Sequence, residues 1–276
     1  MLNKFKSIVV IFFLFNILSC ISSNNNYSKY KPEDITILKS IIADADIKIN
    51  SLMIFEDINM FSLNKKNGVC FNGDGEIIAL RLNKTKLSNI KLLGSLKKLE
   101  YLNIGYNKIS NLEGLENFQQ LKELIITHNS IISVEKIKNL KLLHTLDISS
   151  NQIKGTVSFK GLNKLKVLFI FNNKLEILDF KDLSNLRWLF ASNNKIREIR
   201  NIKVASKLSD LNLYGNPIYD IKDIEYLKNL KNVYIGGGNE YIFENYENLI
   251  KKLRIMKVKV ITSPDILIEP SPDVYN

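Results

Sequence analysis

Leucine and isoleucine recur through the middle of this chain at a fixed interval. The phrase Leu99-x-x-Leu102-x-Ile104-x-x-Asn107-x-Ile109 returns 22 residues later as Leu121-x-x-Leu124-x-Ile126-x-x-Asn129-x-Ile131. It recurs at Leu143/Leu146/Ile148, Leu165/Leu168/Ile170, Leu186/Leu189/Ala191 and Leu208/Leu211/Leu213, closed in turn by Asn151, Asn173, Asn194 and Asn216. Read backwards it reaches Ile77/Leu80/Leu82 with Thr85 in the Asn place, and forwards Leu230/Val233/Ile235 with Gly238 there. The alternation Leu102-Asn103-Ile104 predicts a short strand. A second apolar set at Leu112, Leu115 and Phe118 predicts a short 3₁₀ or helical segment that turns the chain back. One such coil cannot bury both sets by itself. Coils stacked at about 4.8 Å share a continuous core and a parallel sheet. The Asn column predicts a ladder of side-chain amides pairing with backbone groups at the bend, since an unpaired buried polar group costs about 1–3 kcal/mol.

These phrases resemble the leucine-rich repeat family, in particular the 22-residue type of internalin-like bacterial proteins and of phosphatase-regulatory repeat proteins. The resemblance implies an α/β solenoid: a right-handed coil with a parallel sheet on its concave face and helical caps at both ends. It speaks to fold and leaves function open.

The ends of a solenoid expose core and need covering. Pro32-Glu33-Asp34 followed by Ile35, Leu38, Ile41 and Ile42 predicts an amphipathic helix with acids in its first turn. Gly68–Phe71 and Gly75–Leu80 read as the flank before the first repeat. Tyr246, Leu249, Ile250 and Leu253 predict a second cap helix, and Val258 and Val260 a last strand. The expected organisation is a signal peptide (1–19), a tether (20–31), an N-terminal cap (32–76), about eight repeats (77–238), a C-terminal cap (239–262) and an irregular tail (263–276) bearing three prolines around Ile266-Leu267-Ile268.

The signal peptide is read from Lys4 and Lys6 followed by the apolar run Ser7 to Leu18. Twelve helical residues rise about 18 Å, short of the roughly 30 Å of a bilayer core, so the run suits export better than spanning. Its end, Ile17-Leu18-Ser19-Cys20, resembles the lipobox of bacterial lipoproteins. That resemblance implies acylation of Cys20 and a membrane anchor of several chains. Ile21, in place of an acid, is the residue that the enteric sorting rule directs to the outer membrane. Whether the chain then faces the surface or the periplasm stays open.

The whole chain has 39 Lys and Arg against 28 Asp and Glu, and 45% apolar residues, enough to bury a core. Nucleic acid is not an expected partner of an exported chain. Two cysteines and two histidines leave little for a disulfide framework or a metal cluster. Cys70 reads as a small buried hydrophobe. Asn72-Gly73-Asp74-Gly75-Glu76 mimics part of a calcium loop but has Asn83 where a bidentate Glu is required, so a turn is expected. Gly236-Gly237-Gly238 lacks the spacing of a phosphate loop and reads as loss of the bend in the last coil. No cofactor and no enzymatic constellation are expected.

The positions flanking each inward pair point to the concave face. Coil by coil they place Tyr101, Ile125, Val167, Phe169, Phe171, Trp188, Phe190, Tyr214 and Tyr234 there. Phe169 and Phe190 fall side by side, as do Val167 and Trp188. Such a strip suits the centre of a protein-binding surface. Equally, the rings could pack on one another, or Ile266-Leu267-Ile268 could fold back over them. Lys86, Lys108, Lys174 and Lys195 follow the bend and make either a solvated rim or a surface for anionic glycan or lipid. The functional expectation is a lipid-anchored protein that binds a protein ligand on its concave face, with adhesion implied by the internalin-like resemblance. The rival is a periplasmic scaffold or regulator of another envelope protein.

Overall fold

In a computed structural model of the chain, residues 30–44, 52–237 and 242–262 are described. Each repeat phrase becomes a three-residue strand whose middle residue points into the core. In repeat order these are β4 (Tyr101–Asn103), β5 (Glu123–Ile125), β6 (Thr145–Asp147), β8 (Val167–Phe169), β10 (Trp188–Phe190), β12 (Asp210–Asn212) and β13 (Asn232–Tyr234). The first repeat supplies β3 (Ile77–Arg81). All pair in parallel and in register, Leu102 beside Leu124, Leu124 beside Leu146, and so on. In the coil that begins at Leu99, the side chains of Leu99, Leu102, Ile104, Ile109, Leu112, Leu115 and Phe118 are each no more than 3% exposed. At about 1.5–3 kcal/mol for each fully buried aliphatic or aromatic side chain, stacking of coils is the main source of stability.

The bend after each strand has two fixed parts. The residue before the Asn column has a left-handed backbone in every coil: Lys84, Tyr106, His128, Ser150, Asn172, Asn193, Gly215 and Gly237, with φ between 51° and 71°. The Asn then ties two successive coils together. Asn107 Nδ2 donates to the carbonyls of Ile104 and Gly105 in its own coil and of Leu82 in the coil before. Its Oδ1 accepts from the N–H groups of Thr85 and Leu87. Asn129, Asn173, Asn194 and Asn216 repeat the pattern. This is the amide ladder expected from the spacing.

The return path differs along the spiral. Several coils return through 3₁₀ turns, at Leu92–Ser95, Leu115–Asn117, Glu135–Asn139, Ile202–Val204 and Lys222–Tyr226. The coils of β6 and β8 use strands instead, β7 (Lys154–Ser158) and β9 (Lys174–Asp179), and the coil of β10 runs through β11 (Glu198–Arg200) before its 3₁₀ turn; the three strands form a second sheet in the order β11-β9-β7. The sequence reading expected helical turns here. The local alternation Ile153, Gly155, Val157, Phe159, with Thr156 and Val157 β-branched, favours extended chain.

At the N-terminal end, α1 (Pro32–Asp44) buries Leu38, Ile41 and Ile42, and Asp34 Oδ2 accepts from the N–H of Ile77 at 2.7 Å. Two strands precede the repeats: β1 (Met53–Phe55), parallel to β2 (Gly68–Phe71), which is antiparallel to β3. The turn between β2 and β3 is held by Asn72 Oδ1, which accepts from Asp74 and Glu76 N–H, with Gly75 left-handed. Between β1 and β2 lies α2 (Ile58–Leu63), capped by the Asp57 carboxylate on Asn59 N–H. At the other end α3 (Ile242–Ile255) buries Leu249, Ile250 and Leu253, and β14 (Lys259–Ile261) pairs in parallel with β13. The long sheet thus has eleven strands, β1-β2-β3-β4-β5-β6-β8-β10-β12-β13-β14. The expected signal peptide, Cys20, the tether up to residue 29, Gly238 and the tail from 263 lie outside the described residues.

Candidate protein-binding face

The side chains on either side of each inward residue project from the face of the long sheet turned away from the core. Register lines them up in rows across the strands. One row runs Ala79, Tyr101, Glu123, Thr145, Val167, Trp188, Asp210, Asn232, Lys259; the other runs Arg81, Asn103, Ile125, Asp147, Phe169, Phe190, Asn212, Tyr234, Ile261. The predicted aromatic residues are therefore on this face, and Val167/Trp188 and Phe169/Phe190 are direct neighbours.

Val167, Phe169 and Phe190 form an apolar cluster separate from the main core, joined by half-buried Phe171 and Trp188. The rings of Phe169 and Phe190 stack with centroids 5.0 Å apart. The expectation of an open strip needs correction here. Phe169 is fully buried, Val167 4% and Phe190 8% exposed, and Tyr234 is also buried at 8%. The accessible members of the set are therefore Trp188, Phe171, Tyr214 and Ile125, all half-buried. Tyr214 packs on backbone: a Cβ at Gly237 would stand 2.5 Å from its ring. Gly237 shares the left-handed conformation of every coil, so the glycine run marks a kept bend rather than a lost one.

Tyr101 belongs to a different environment. Phe61 of α2 meets its ring edge-on at 5.2 Å, and Phe55, Phe61, Cys70 and Ala79 form a sealed cluster around it. Arg81, 5% exposed, lies over the rings of Phe61 and Tyr101. It donates to the carbonyls of Phe61, Asn64 and Lys66 at the end of α2 and to the Tyr101 hydroxyl. So α2 covers this end of the face, and Tyr101 is a packing residue there. A six-residue helix led by Asp57 leaves little sequence signal beyond that cap and the Ile58/Phe61 spacing. Burial raises the Cys70 thiol to about 11, which keeps it protonated and unreactive.

Between α2 and the aromatic cluster the face is acidic, a feature missed by reading for aromatics alone. Burial raises the Glu123 carboxyl to about 7 against the opposing pull of Arg81, with Asp147 adding to the rise. Burial likewise raises Asp147 to about 6, although its carboxylate accepts from Ser149 N–H at 3.1 Å. The remaining sequence candidates lie apart from this face. His128 stacks on Tyr106 at 4.1 Å at the bend. Lys86, Lys108, Lys174 and Lys195 are exposed along the bend. Among the described residues no group of three or more His, Cys, Asp or Glu side chains is placed to hold a metal ion.

The leucine-rich repeat family model matches residues 143–196, the coils that carry β6, β8 and β10. No curated protein matches the chain. Among solved structures, the chain is similar to a leucine-rich repeat protein of Leptospira interrogans at 25% identity and a TM-score of 0.60, over 71% of this chain and 53% of that one. The chain thus spans about half the length of that relative. It is also similar to the internalin inlF of Listeria monocytogenes, at 22% identity and a TM-score of 0.56, covering 79% of this chain and 74% of that one. Internalin C2 of the same organism gives 22% identity and 0.55, covering 81% and 96%. Register, amide ladder and these likenesses together identify the fold as that of the leucine-rich repeat proteins.

Proposed function

We propose that this chain is a lipid-anchored binding protein of the bacterial envelope that takes a protein ligand on the concave face of its long sheet, with adhesion as the role such a surface serves. The observation that carries the reading is the separate cluster of Val167, Phe169, Phe190, Phe171 and Trp188, large side chains that the repeat's own core does not use. Buried rings of this kind form a firm base under half-buried Trp188 and Phe171, and aromatic anchors at the centre of a face are what protein interfaces use. Glu123 and Asp147 beside them favour a ligand that brings a basic group next to an apolar one. The anchor rests on Ile17-Leu18-Ser19-Cys20 at the end of the apolar run.

The test uses the region from residue 24 onward as bait on target cell surfaces, beside a Trp188→Ala/Phe171→Ser variant shown by circular dichroism to be folded at the assay temperature. Binding retained by the parent and lost by the variant is expected. Equal binding by both overturns the assignment of the face. Palmitate labelling that survives Cys20→Ser overturns the anchor.

A further inference from the structure

We propose that the free edge of β7, on the back of the spiral, is a second docking surface, and that it takes an extended acidic segment of a partner protein as an added strand. The second sheet stops at β7: among the described residues this strand pairs with β9 alone. Gln152 N–H still donates to the Ile131 carbonyl of the coil before, at 2.9 Å. From there the two coils part. One turns into the 3₁₀ segment Glu135–Asn139, and the other stays extended through Lys154–Ser158. An edge strand carries a row of backbone N–H and C=O groups turned away from its sheet, and strand addition uses that row.

The parting leaves a groove of about 480 Å³ along the edge, inside the range of about 300–1,000 Å³ that ligand sites occupy. Val134, Ile153 and Val157 give it a buried apolar lining, and Ile132 stands beside them 54% exposed. An added strand could therefore seat an apolar side chain as well as pair its backbone.

Charge selects the occupant. Lys138, Lys154 and Lys160 rim the groove, all exposed, against Glu135 alone. Among the described residues none of the three lysines is in an ion pair. Two copies of this edge would repel each other, and the register slip between Gly155 and Thr156 also makes it a poor match for itself. A strand bearing carboxylates meets attraction at the same positions. The surface belongs to the second sheet, so it does not rest on the concave-face reading above.

The test presents the full chain to an array of acetylated pentapeptides built from Val, Thr, Glu and Asp, beside counterparts with Lys in place of each acid. Acidic members should bind and their basic counterparts should not. Bound peptide should slow hydrogen exchange at the amides of Thr156, Val157 and Ser158. N-methylation of alternate peptide bonds should abolish binding in one frame and spare it in the other, because only one set of N–H groups faces β7. Lys154→Glu/Lys160→Glu should weaken binding about tenfold, with the thermal midpoint unchanged. Trp188→Ala/Phe171→Ser should bind the peptide as the parent does. Absence of any acidic binder overturns the proposal, as does equal affinity of the charge variant, of both N-methylated frames or of the basic peptides. Protection that falls on the concave strands instead overturns it too. Dimers in sedimentation that carry the same protection without peptide would make a second copy the occupant, and would overturn it as well.

Discussion

Asn151 Oδ1 accepts the backbone N–H of Ile131, twenty residues earlier in the preceding coil, at 3.1 Å. The same amide donates through Nδ2 to the carbonyls of Ile126, Ile148 and Ser149 at 2.9–3.2 Å. One side chain thus pairs buried groups of two coils. Asn151→Ala strands those groups in a site 8% exposed. We expect a loss of about 3 kcal/mol, from about 1–3 kcal/mol per unsatisfied group, measured by urea denaturation. A loss below about 1 kcal/mol would show that water replaces the amide.

The left-handed column gives a paired prediction. Ser150 has φ 54° and Gly215 φ 71° at equivalent positions. A non-glycine residue in this region costs about 1–2 kcal/mol, part of which glycine gives back as unfolded-state entropy. Ser150→Gly should therefore leave stability unchanged or raise it by up to about 1 kcal/mol. At Gly215 a Cβ would stand 2.4 Å from Asn193 Oδ1. Gly215→Ala should destabilise by about 1–3 kcal/mol through that contact as well as the backbone. Equal effects of opposite sign would mean that backbone conformation alone decides both.

The cluster on the concave face predicts unequal costs for neighbouring rings. Phe169 is fully buried and Trp188 half-buried. Phe169→Ala should cost about 3 kcal/mol by leaving a cavity, whereas Trp188→Ala should cost no more than about 1–2 kcal/mol. Differential scanning calorimetry of both variants checks the order, and a reversed order would place the indole in the packed layer.

Asp147 and Glu123 make stability fall as pH rises. Their folded values, about 6 and about 7, exceed the ordinary 3.8 and 4.5. The folded chain binds their protons more tightly than the unfolded chain does. This contribution is present below the ordinary values and lost on passing through the folded ones, between about pH 4 and 7. Asp147→Asn and Glu123→Gln should each raise the thermal midpoint relative to the parent at about pH 7.5 and have little effect at about pH 3. A gain that does not change with pH would mean that packing rather than charge limits the site.

Much of this was legible in the residues. Leu102, Ile104 and Asn107 carry period and ladder together, because each coil repeats one solution to the same burial problem. The same register placed Phe169 beside Phe190 and Val167 beside Trp188. How deeply those rings are covered was not legible, since cover depends on elements remote in sequence. Tyr101 shows this directly: its neighbour Phe61 comes from a six-residue helix forty residues upstream, too short to carry a period. The acidic pair was missed for the same reason, as Glu123 and Asp147 look ordinary until burial shifts their protons.

The second sheet has a mechanical consequence. Strands stack about 4.8 Å apart, whereas helical returns are bulkier and need wider spacing on the back of the spiral. Where β7, β9 and β11 pair behind the long sheet, front and back can advance by equal steps, which favours a straight run of the spiral over a bowed one. That stretch lies directly behind β6, β8 and β10. A straight run there would give the platform of Phe169, Trp188 and Phe190 a level footing, along which an elongated ligand lies without having to flex.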